Sequence, residues 1–306
     1  MNGNLMKNYR RVRRNSKSMA KLLASALIIL SAFILAIFPT SRQLDGDLEA
    51  VFLDVGQGDS ILICADGHTI LVDAGGLPGD STQMAERVVI PYIKSLGIDK
   101  LDMVFNTHPD NDHIGGLFAV LDEIYVDELA VFNGYTDNKK YQQLIHMAEE
   151  NGVTVNNVAA GDVFRLSDNF AIEVISPDAG ETFDNDDVNN ASLVLHFSYK
   201  DFDLLTTGDL VGREMATAID ELDCADIEVL QLPHHGSKNS YDEDWYGEFS
   251  PVAVVISCGL DNDYGHPGQN VVQYWQNNGV PIYRTDYQGS CRIMYKDGNI
   301  SFETAA

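Results

Sequence analysis

Short apolar runs separated by polar turns recur along the chain from residue 50 onward. Alternating or fully apolar runs predict strands, and apolar residues spaced three or four apart predict helices. The predicted strands are 50–54, 60–64, 69–73, 101–105, 124–131, 163–166, 170–175, 193–197, 202–206, 227–232, 252–257, 281–284, 291–295 and 298–302. The predicted helices are 81–96, 139–151, 211–220 and 268–276, and another begins at residue 117. Because strands and helices alternate without a break, we expect one mixed α/β domain over residues 45–306.

The first 44 residues differ from the rest in both charge and hydropathy. Basic residues from Lys7 to Lys21 precede an uncharged apolar run over residues 22–38, and no small-x-small cleavage site follows that run. This pattern predicts that residues 1–44 hold a signal anchor, which spans the membrane once and leaves the domain outside the cytoplasmic membrane. A cleaved signal with a secreted domain is the alternative.

Charge is distributed unevenly along the chain. Eight of the 20 Lys and Arg residues lie within residues 1–44, which contain no Asp or Glu. The other 12 share the rest of the chain with all 46 acidic residues, so that part has a formal charge of −34. Such a body repels polyanions at long range, and it has no basic stripe of the kind that marks a dedicated nucleic-acid binder.

The cysteines form no Cys-x-x-Cys pair, and several have apolar neighbours. They are Cys64, Cys224, Cys258 and Cys291. We interpret most of them as small core residues, since spacing alone establishes no disulfide.

The densest polar motif runs from Thr107 to Gly116, between a predicted buried strand and the start of a predicted helix. It reads Thr-His-Pro-Asp-Asn-Asp-His-Ile-Gly-Gly, so two histidines and two carboxylates fall within six positions. Imidazole and carboxylate groups this close together on a loop can chelate one or two divalent metals. A polar surface turn also uses Pro, Asn, Asp and Gly, but it does not require both histidines and both acids.

Other polar residues stand where predicted strands end. The carboxylate of Asp73 is placed either to orient metal ligands or to cap its own turn. Asp209 lies at a strand end before a helix, where a carboxylate is well placed to bridge two metals. His234 and His235 follow another strand, and adjacent histidines on a regular strand point opposite ways. Only one of them can then be a ligand, unless the turn at Gly236 relaxes this geometry.

These segments together resemble the metallo-β-lactamase superfamily. The usual family motif is His-x-His-x-Asp-His, and here Asp110 stands where the second histidine would be. That departure resembles one branch, the metallohydrolase domain of ComEC-type competence (DNA-uptake) proteins. Segments 52–60, 72–76, 207–209, 233–237 and 265–267 agree with that branch and come in its order. The resemblance implies a four-layer αββα sandwich.

The resemblance also implies roles for individual residues. The implied metal ligands are His108, Asp110, Asp112, His113, Asp209, His234 and His266. The implied catalytic residues are Asp112, His235 and His266, with His235 as a proton donor or a phosphate contact. The residues expected to support the ligands are Asp54, Asp59, Asp73, Asn190 and Ser192. The expected substrate contacts are Ser237, Lys238 and Arg284, although the two cations also suit an ordinary solvated surface.

Two divalent ions, Zn²⁺ or Mn²⁺, are the expected cofactors. One partition gives His108, Asp110 and His234 to one ion and Asp112, His113 and His266 to the other, with Asp209 as the bridge. Such a pair can generate hydroxide from water and hold a phosphoryl oxygen. Because Asp110 replaces a histidine, the site is harder and more anionic, which favours Mn²⁺ or Mg²⁺ more than an all-histidine site does.

The expected function is a metal-dependent phosphodiesterase or nuclease outside the cytoplasmic membrane. The resemblance favours DNA as the substrate, whereas the −34 charge favours a small or zwitterionic phosphoester, as in phosphorylcholine esterases of the cell wall. A non-catalytic surface domain stabilised by metals is the alternative from another class. With one apolar span the chain is not itself a channel, so a separate DNA-uptake channel is an expected partner.

Overall fold

Two mixed β-sheets form the core of the protein, as described by a computed structural model. Its strands, in chain order, are β1 (Leu48–Phe52), β2 (Ile61–Ala65), β3 (His68–Val72), β4 (Lys100–Phe105), β5 (Tyr125–Val131), β6 (Thr154–Asn157), β7 (Val163–Arg165), β8 (Phe170–Ser176), β9 (Val194–Tyr199), β10 (Phe202–Thr206), β11 (Val229–Gln231), β12 (Ala253–Ile256), β13 (Ile282–Arg284), β14 (Cys291–Lys296) and β15 (Asn299–Thr304). The first sheet has the order β15-β14-β1-β2-β3-β4-β5-β6, and the second has the order β13-β12-β11-β10-β9-β8-β7.

The structure describes residues 46–77, 81–132, 134, 138–183, 188–211, 215, 222 and 227–305. Apart from Ser95–Gly97, these residues belong to one compact unit. The predicted anchor at 22–38, most of the predicted helix 211–220, and Cys224 lie outside the described residues. Within the described ranges no helix combines the length and the apolar character needed to cross a membrane.

Each sheet changes from antiparallel to parallel pairing along its width. In the first sheet β3, β4, β5 and β6 pair in parallel, and in the second β10, β11, β12 and β13 do so. The remaining pairs are antiparallel. Parallel neighbours end at the same edge of a sheet, so the loops after them converge there.

The helices and turns complete the described chain. The helices are α1 (Ile90–Ser95), α2 (Asn111–Ile114), α3 (Leu117–Glu123), α4 (Lys139–Glu150), α5 (Glu243–Gly247), α6 (Gln269–Asn277) and α7 (Thr285–Gln288). A π-helical turn, Ala85–Val89, precedes α1, and 3₁₀ turns cover Val188–Ala191, His234–Gly236 and Lys238–Ser240.

Apolar side chains of α5 and α6 pack with residues of the second sheet. Trp245 of α5 joins Val271 and Trp275 of α6 in one buried cluster with Leu230 and Val254. Val271 and Trp275 are four residues apart, so both lie on the same helix face. Full burial of each large apolar side chain contributes about 1.5–3 kcal/mol. This packing holds one side of the strands whose ends carry the site.

The observed elements confirm the predicted mixed α/β sandwich, and each predicted strand is present within a few residues. β6 was not expected, because Val155 is its one apolar residue and it pairs only with β5. The predicted helix at 81–96 begins instead with the π-helical turn, and Pro91 follows in α1. Proline lacks an N–H and its ring clashes with the carbonyl four residues earlier, so an irregular turn before Pro91 has a direct cause.

The described cysteines agree with the prediction of small core residues. Cys64, Cys258 and Cys291 are buried and free. Burial is the main cause that raises the pKa of each thiol to about 12, so these thiols stay protonated.

Candidate metal centre

Polar residues converge where the parallel strands of both sheets end. In the first sheet Asp73 follows β3 and His108 comes after β4; in the second, Asp209 comes after β10 and His234 after β11. β3 pairs with β4 in parallel, and β10 pairs with β11 in parallel. The four loops therefore leave neighbouring strand ends, which is the edge where ligands bind in parallel sheets.

The loop after β4 separates buried histidines from accessible acids. The side chains of His108 and His113 are fully buried, whereas those of Asp110 and Asp112 are 49% and 29% exposed. Asn111–Ile114 forms a single helical turn, which brings the two imidazole rings to a centroid distance of 4.1 Å. Two imidazoles thus form the floor of the site, and two carboxylates form part of its rim.

Asp209 lies at the centre of the cluster, and its two oxygens face different groups. Oδ2 is 3.8 Å from Nε2 of His108 and 3.7 Å from Nε2 of His234. Oδ1 is 3.2 Å from Nε2 of His113 and 3.4 Å from Nε2 of His235. One carboxylate therefore connects four imidazoles contributed by both sheets.

The two accessible acids, Asp110 and Asp112, each lie beside one of the histidines that face Asp209. Oδ2 of Asp110 is 3.8 Å from Nε2 of His108, on the side of the first oxygen of Asp209. Oδ2 of Asp112 is 3.4 Å from Nε2 of His235, on the side of the second oxygen. Each pair of histidines that faces an oxygen of Asp209 thus includes one histidine with a further carboxylate beside it.

Three of the imidazoles have their other ring nitrogen engaged away from the centre. Nδ1 of His113 lies 2.8 Å from Oδ2 of Asp73, and Nδ1 of His235 lies 2.9 Å from the carbonyl oxygen of Ser257. Nδ1 of His108 is 3.1 Å from the hydroxyl of Thr107 and 3.3 Å from that of Ser192. A partner on Nδ1 fixes the ring and leaves Nε2 to bind a cation, as in metal-binding histidines.

Asp73 is the most heavily bonded support of the site. Its carboxylate accepts hydrogen bonds from Nδ2 of Asn106 at 2.9 Å, from the Thr107 N–H at 2.9 Å and from the Thr107 hydroxyl at 2.5 Å, and it also contacts His113. So many donors stabilise the ionised carboxylate in a fully buried position. Asp73 is thus placed to hold His113, and the structure gives it contacts beyond its own turn.

His234 and His235 do not continue a regular strand. β11 ends at Gln231, and His234, His235 and Gly236 all have positive φ, at 53°, 55° and 70°. Left-handed conformation at successive residues turns the chain tightly, so the alternation of side chains along a strand no longer applies. As a result both histidines point towards Asp209.

Asp59 links the loop after β1 to the second sheet. Its Oδ2 accepts a hydrogen bond of 2.5 Å from Nε2 of Gln231, and its Oδ1 lies 3.5 Å from Nδ1 of His235. Asp59, His113, Asp209 and His235 are all buried, and each offers one atom within 4.8 Å of the others. Four converging donors of this type fit a divalent cation.

Several polar atoms that face this centre have no hydrogen-bond partner among the described residues. They include Nε2 of His108, His113 and His235 and Oδ1 of Asp209. The nearest partners of these atoms are other atoms of the cluster, at 3.2 Å or more, and a buried polar atom left without a good hydrogen bond costs about 1–3 kcal/mol, so four of them in one place favour an occupant. Divalent metal bound by nitrogen and oxygen donors satisfies all four at once, and the residues present therefore fit it.

The ionisation of the cluster also indicates a cation site. Burial opposes charge on His113 and His235, but Asp209 and their other acidic neighbours raise the pKa of both imidazoles well above the usual value. Burial likewise opposes charge on Asp209, yet His235 and His113 lower its pKa well below normal. Burial, together with His113, lowers the pKa of His108 to about 4.

The structure places the other residues expected from the sequence at varying distances from this centre. His266 lies at the rim: its ring centroid is 5.3 Å from that of His234, and its Nδ1 is 3.3 Å from Nε2 of Gln57. It is not one of the four donors that lie within 4.8 Å of one another. Burial, together with His235 and His234, lowers its pKa to about 4.

The supporting residues divide into two groups. Asp59, Asp73 and Ser192 contact the cluster directly, and the Ser192 hydroxyl also accepts a bond of 3.0 Å from the Asp209 N–H. Asp54 instead accepts a bond of 3.2 Å from the N–H of Gly56 in its own loop. Asn190 is half-buried on the turn Val188–Ala191.

The residues expected to contact substrate are also separated. The Ser237 hydroxyl is buried and accepts a bond of 3.2 Å from the Asn239 N–H, and Lys238 is exposed. Arg284 makes a bidentate pair with Asp286, with N···O distances of 3.0 and 2.6 Å, and its guanidinium lies 4.2 Å from the ring centroid of Tyr287. The structure brings none of these three into the four-donor cluster.

Sequence reasoning did not identify several residues that shape the centre. Thr107 and Gln231 hold Asp73 and Asp59, and Gln57 contacts His266. Ser257 contributes only its backbone carbonyl, for which a sequence carries no signal. Nζ of Lys140 donates a hydrogen bond to Oδ1 of Asn111, from a helix that begins 28 residues after that loop position. For Thr107 and Gln231 the one available signal was their position beside strand ends.

Comparison with known proteins confirms the resemblance. Residues 53–131 match the family model described as "Metallo-beta-lactamase superfamily". The chain is 31% identical over 294 residues to "ComE operon protein 3" of Bacillus subtilis (strain 168). The aligned region covers 92% of this chain and 37% of that protein. It is 25% identical over 276 residues to "Competence protein ComA" of Neisseria gonorrhoeae. That aligned region covers 90% of this chain and 36% of the relative. The chain therefore spans about a third of the length of these curated relatives.

Solved structures share the fold. One is the crystal structure of CmlA, "a diiron beta-hydroxylase from Streptomyces venezuelae", with a TM-score of 0.51 at 12% sequence identity. The match covers 83% of this chain and 54% of that one. At this identity the likeness supports the sandwich alone.

Proposed function

We propose that this chain, with its metallo-β-lactamase fold, is a binuclear metal-dependent phosphodiesterase. The observation that carries the proposal is the position of Asp209 between two sets of donors. Its Oδ2 faces His108 and His234, and its Oδ1 faces His113 and His235, at N···O distances of 3.2 to 3.8 Å. A carboxylate whose two oxygens face separate donor sets suits a bridge between two cations.

The donor sets suggest how each ion would be held. His108, Asp110 and His234 would hold one ion, and Asp112 and His113 would hold the other. For the remaining ligand of the second ion, the sequence favours His266, whereas the geometry favours His235. Nε2 of His235 is 3.4 Å from both Asp112 and Asp209, and His266 lies at the rim. We propose His235 for this position and keep His266 as a residue that faces the substrate.

Mn²⁺ and Zn²⁺ are the proposed ions. Five carboxylates contact the histidines of the centre, and Asp110 occupies a position where the family usually has an imidazole; the five are Asp59, Asp73, Asp110, Asp112 and Asp209. Oxygen-rich sites suit the harder Mn²⁺, and the four imidazoles also suit Zn²⁺.

The metals would supply activated water and neutralise charge on the phosphoryl group. The protein contributes the geometry around them. Asp73 and the Ser257 carbonyl hold His113 and His235 with Nε2 towards the centre, and Ser192 holds the backbone of Asp209. Asp112 is 29% exposed, and although burial opposes its charge, the contact with His235 and the charge of His113 lower its pKa to about 2, so it stays ionised and suits a metal ligand. His266 at the rim, with a pKa of about 4, is neutral near pH 7, so it can accept a hydrogen bond or a proton from a group bound at the centre but does not supply a proton to a leaving group.

DNA is the first proposed substrate class, because one relative is named a competence protein. A small phosphoester, such as a cell-wall ester, is the second candidate. The −34 charge of the chain beyond residue 44 favours it, and so does a cavity of about 260 Å³ beside Asp112 that includes Asp261 and Asp263 in its lining. Carboxylates in this position disfavour a long polyanion.

The proposed location is the outer face of the cytoplasmic membrane, with residues 22–38 as the anchor. The basic cluster before these residues supports that orientation. A secreted domain is the alternative if the signal is cleaved. A separate DNA-uptake channel is the proposed partner. Protease treatment of intact cells tests the location, because an outside domain is digested whereas an inside domain is protected.

Activity of the purified full-length chain tests the function. Single-stranded DNA and bis-p-nitrophenyl phosphate are assayed side by side with added Mn²⁺ or Zn²⁺, and Asp112→Ala serves as the control. Cleavage of both substrates, lost in the variant, would support a nuclease. Cleavage of the small ester alone would favour the second candidate.

Absence of metal-dependent turnover with either substrate would contradict the phosphodiesterase proposal. Bound metal in such an inactive protein would favour a metal-stabilised surface domain.

A further inference from the structure

Several basic side chains of the described residues are paired with acids. Lys94 bonds to Glu123 at 2.7 Å, Lys100 bonds to Asp127 at 2.6 Å, and Arg284 is paired with Asp286. An anionic substrate approaching the metal centre therefore gains little from these cations, since their charge is compensated locally.

Lys140 differs in both position and partner. It is the second residue of α4, is half-buried, and donates its hydrogen bond to the neutral amide oxygen of Asn111. Asn111 stands between Asp110 and Asp112 in the metal-binding loop, and its own Nδ2 is fixed by a bond of 2.9 Å to the Leu77 carbonyl. The ammonium thus sits beside the metal-binding loop, and it makes no direct bond to a carboxylate of the described residues.

Burial lowers the pKa of Lys140, and the acids of that loop oppose this effect. Asp110 and Asp112 both attract the ammonium electrostatically. Metal cations bound by these carboxylates would neutralise their charge, and the ammonium of Lys140 would then be left to attract another anion. Asn111, which accepts the bond from Lys140, lines the cavity of about 260 Å³ together with Asp112.

We propose that Lys140 binds a phosphate oxygen of the substrate at the metal centre. The inference rests on the proposed phosphodiesterase function and names a phosphate-binding residue for it. A hydrogen bond from lysine to a phosphate oxygen is charge-assisted. It would also explain how a body with a formal charge of −34 beyond residue 44 admits an anionic ester.

Binding of inorganic phosphate tests this inference without turnover. The metal-loaded full-length chain is titrated with phosphate, and its thermal shift is followed for wild type, Lys140→Ala and Lys140→Arg. Lys139→Ala is the matched control, because Lys139 precedes Lys140 on the same helix and is exposed. We expect Lys140→Ala to weaken phosphate binding by about tenfold or more, since a hydrogen bond to a charged group contributes about 1.5–3 kcal/mol. We expect Lys140→Arg to recover part of that loss and Lys139→Ala to match wild type.

Metal content and activity, measured on the same samples, separate the two proposals. Unchanged metal content with weaker phosphate binding supports the role of Lys140. Wild-type phosphate affinity in Lys140→Ala would overturn it, as would a loss of bound metal that assigns Lys140 to holding the loop. If wild type binds phosphate but cleaves no diester, the proposed function fails and the Lys140 contact stands.

Discussion

The two sheets contribute to the metal centre in different ways. The first sheet supplies His108, Asp110, Asp112 and His113 from one loop, within six positions of the chain. The second supplies Asp209 and the histidine pair from the ends of two separate strands, β10 and β11. The donors of the first sheet are therefore brought together by one helical turn, whereas those of the second depend on the register of two parallel strands, in which Leu205 pairs with Leu230.

The groups that hold the metal-binding histidines in place also differ between the two sheets. In the first sheet a side chain, Asp73, holds His113. In the second sheet a backbone carbonyl, that of Ser257, holds His235, and a left-handed turn aims both histidines. We infer that single side-chain changes affect the first half of the site most, and that backbone changes affect the second half most. Asp209 is common to both halves.

The largest effect is expected for Asp209→Asn, which breaks the connection between the halves. The amide keeps the size of the side chain but offers one oxygen where the carboxylate offers two. Loss of a residue that only supports a metal ligand typically costs about 10–100-fold in activity. Asp209 is proposed to bind both ions itself, so we expect phosphodiesterase activity to fall by more than about 100-fold. Steady-state kinetics checks this, with circular dichroism as the control for folding. Activity within tenfold of wild type would remove Asp209 from the bridging position.

The next largest effect is expected for Asp73→Asn, in the first half of the site. The variant weakens the support of His113 and places an amide among the donors of Asn106 and Thr107. We expect metal affinity to fall about 10–100-fold, as is typical when a carboxylate behind a ligating histidine is lost. Competition with a chromogenic chelator measures the affinity.

Ser192→Ala is the matched variant for Asp73→Asn. It removes a neutral hydroxyl that accepts from the Asp209 N–H and lies near Nδ1 of His108. A neutral hydrogen bond contributes about 1 kcal/mol, so we expect roughly a fivefold change in metal affinity. Equal losses in the two variants would contradict the special role assigned to the buried carboxylate.

The last variant, Gly236→Ala, tests the backbone of the second half, and the expected effect is on the free energy of unfolding. Gly236 has a φ of 70°, and a Cβ there would lie 2.8 Å from Cβ of Pro267. Gly279 has a φ of 71° and open space around it, so Gly279→Ala is the control for backbone strain alone. Strain costs about 1–2 kcal/mol at either position, and Gly236→Ala should lose further stability through the contact with Pro267. Urea denaturation compares the two, and identical losses would show that the turn tolerates displacement.

The same contrast explains what the sequence could predict. The loop at 107–116 was identifiable because its ligands are consecutive and their chemistry needs no tertiary information. Asp73 and Asp209 were identifiable because each stands at the end of an apolar run. Strand positions followed from the apolar pattern, with the polar edge strand β6 as the exception.

The remaining features depend on geometry that no local pattern encodes. The left-handed conformation of His234 and His235 is invisible in the sequence, so regular alternation assigned a ligand role to one of them, and the structure aims both at Asp209. The Ser257 carbonyl is a backbone group. Lys140 reaches Asn111 from a different element, and only the packing of α4 beside the loop brings them together.

The metal content of the purified full-length chain tests the central claim most directly. After reconstitution with Zn²⁺ or Mn²⁺ and removal of excess ion, inductively coupled plasma mass spectrometry gives the ions per chain for wild type and Asp209→Asn. Because each oxygen of Asp209 faces its own set of donors, we predict two ions per wild-type chain and at most one in the variant. A single ion in wild type, or the same content in both proteins, would contradict a binuclear centre bridged by Asp209.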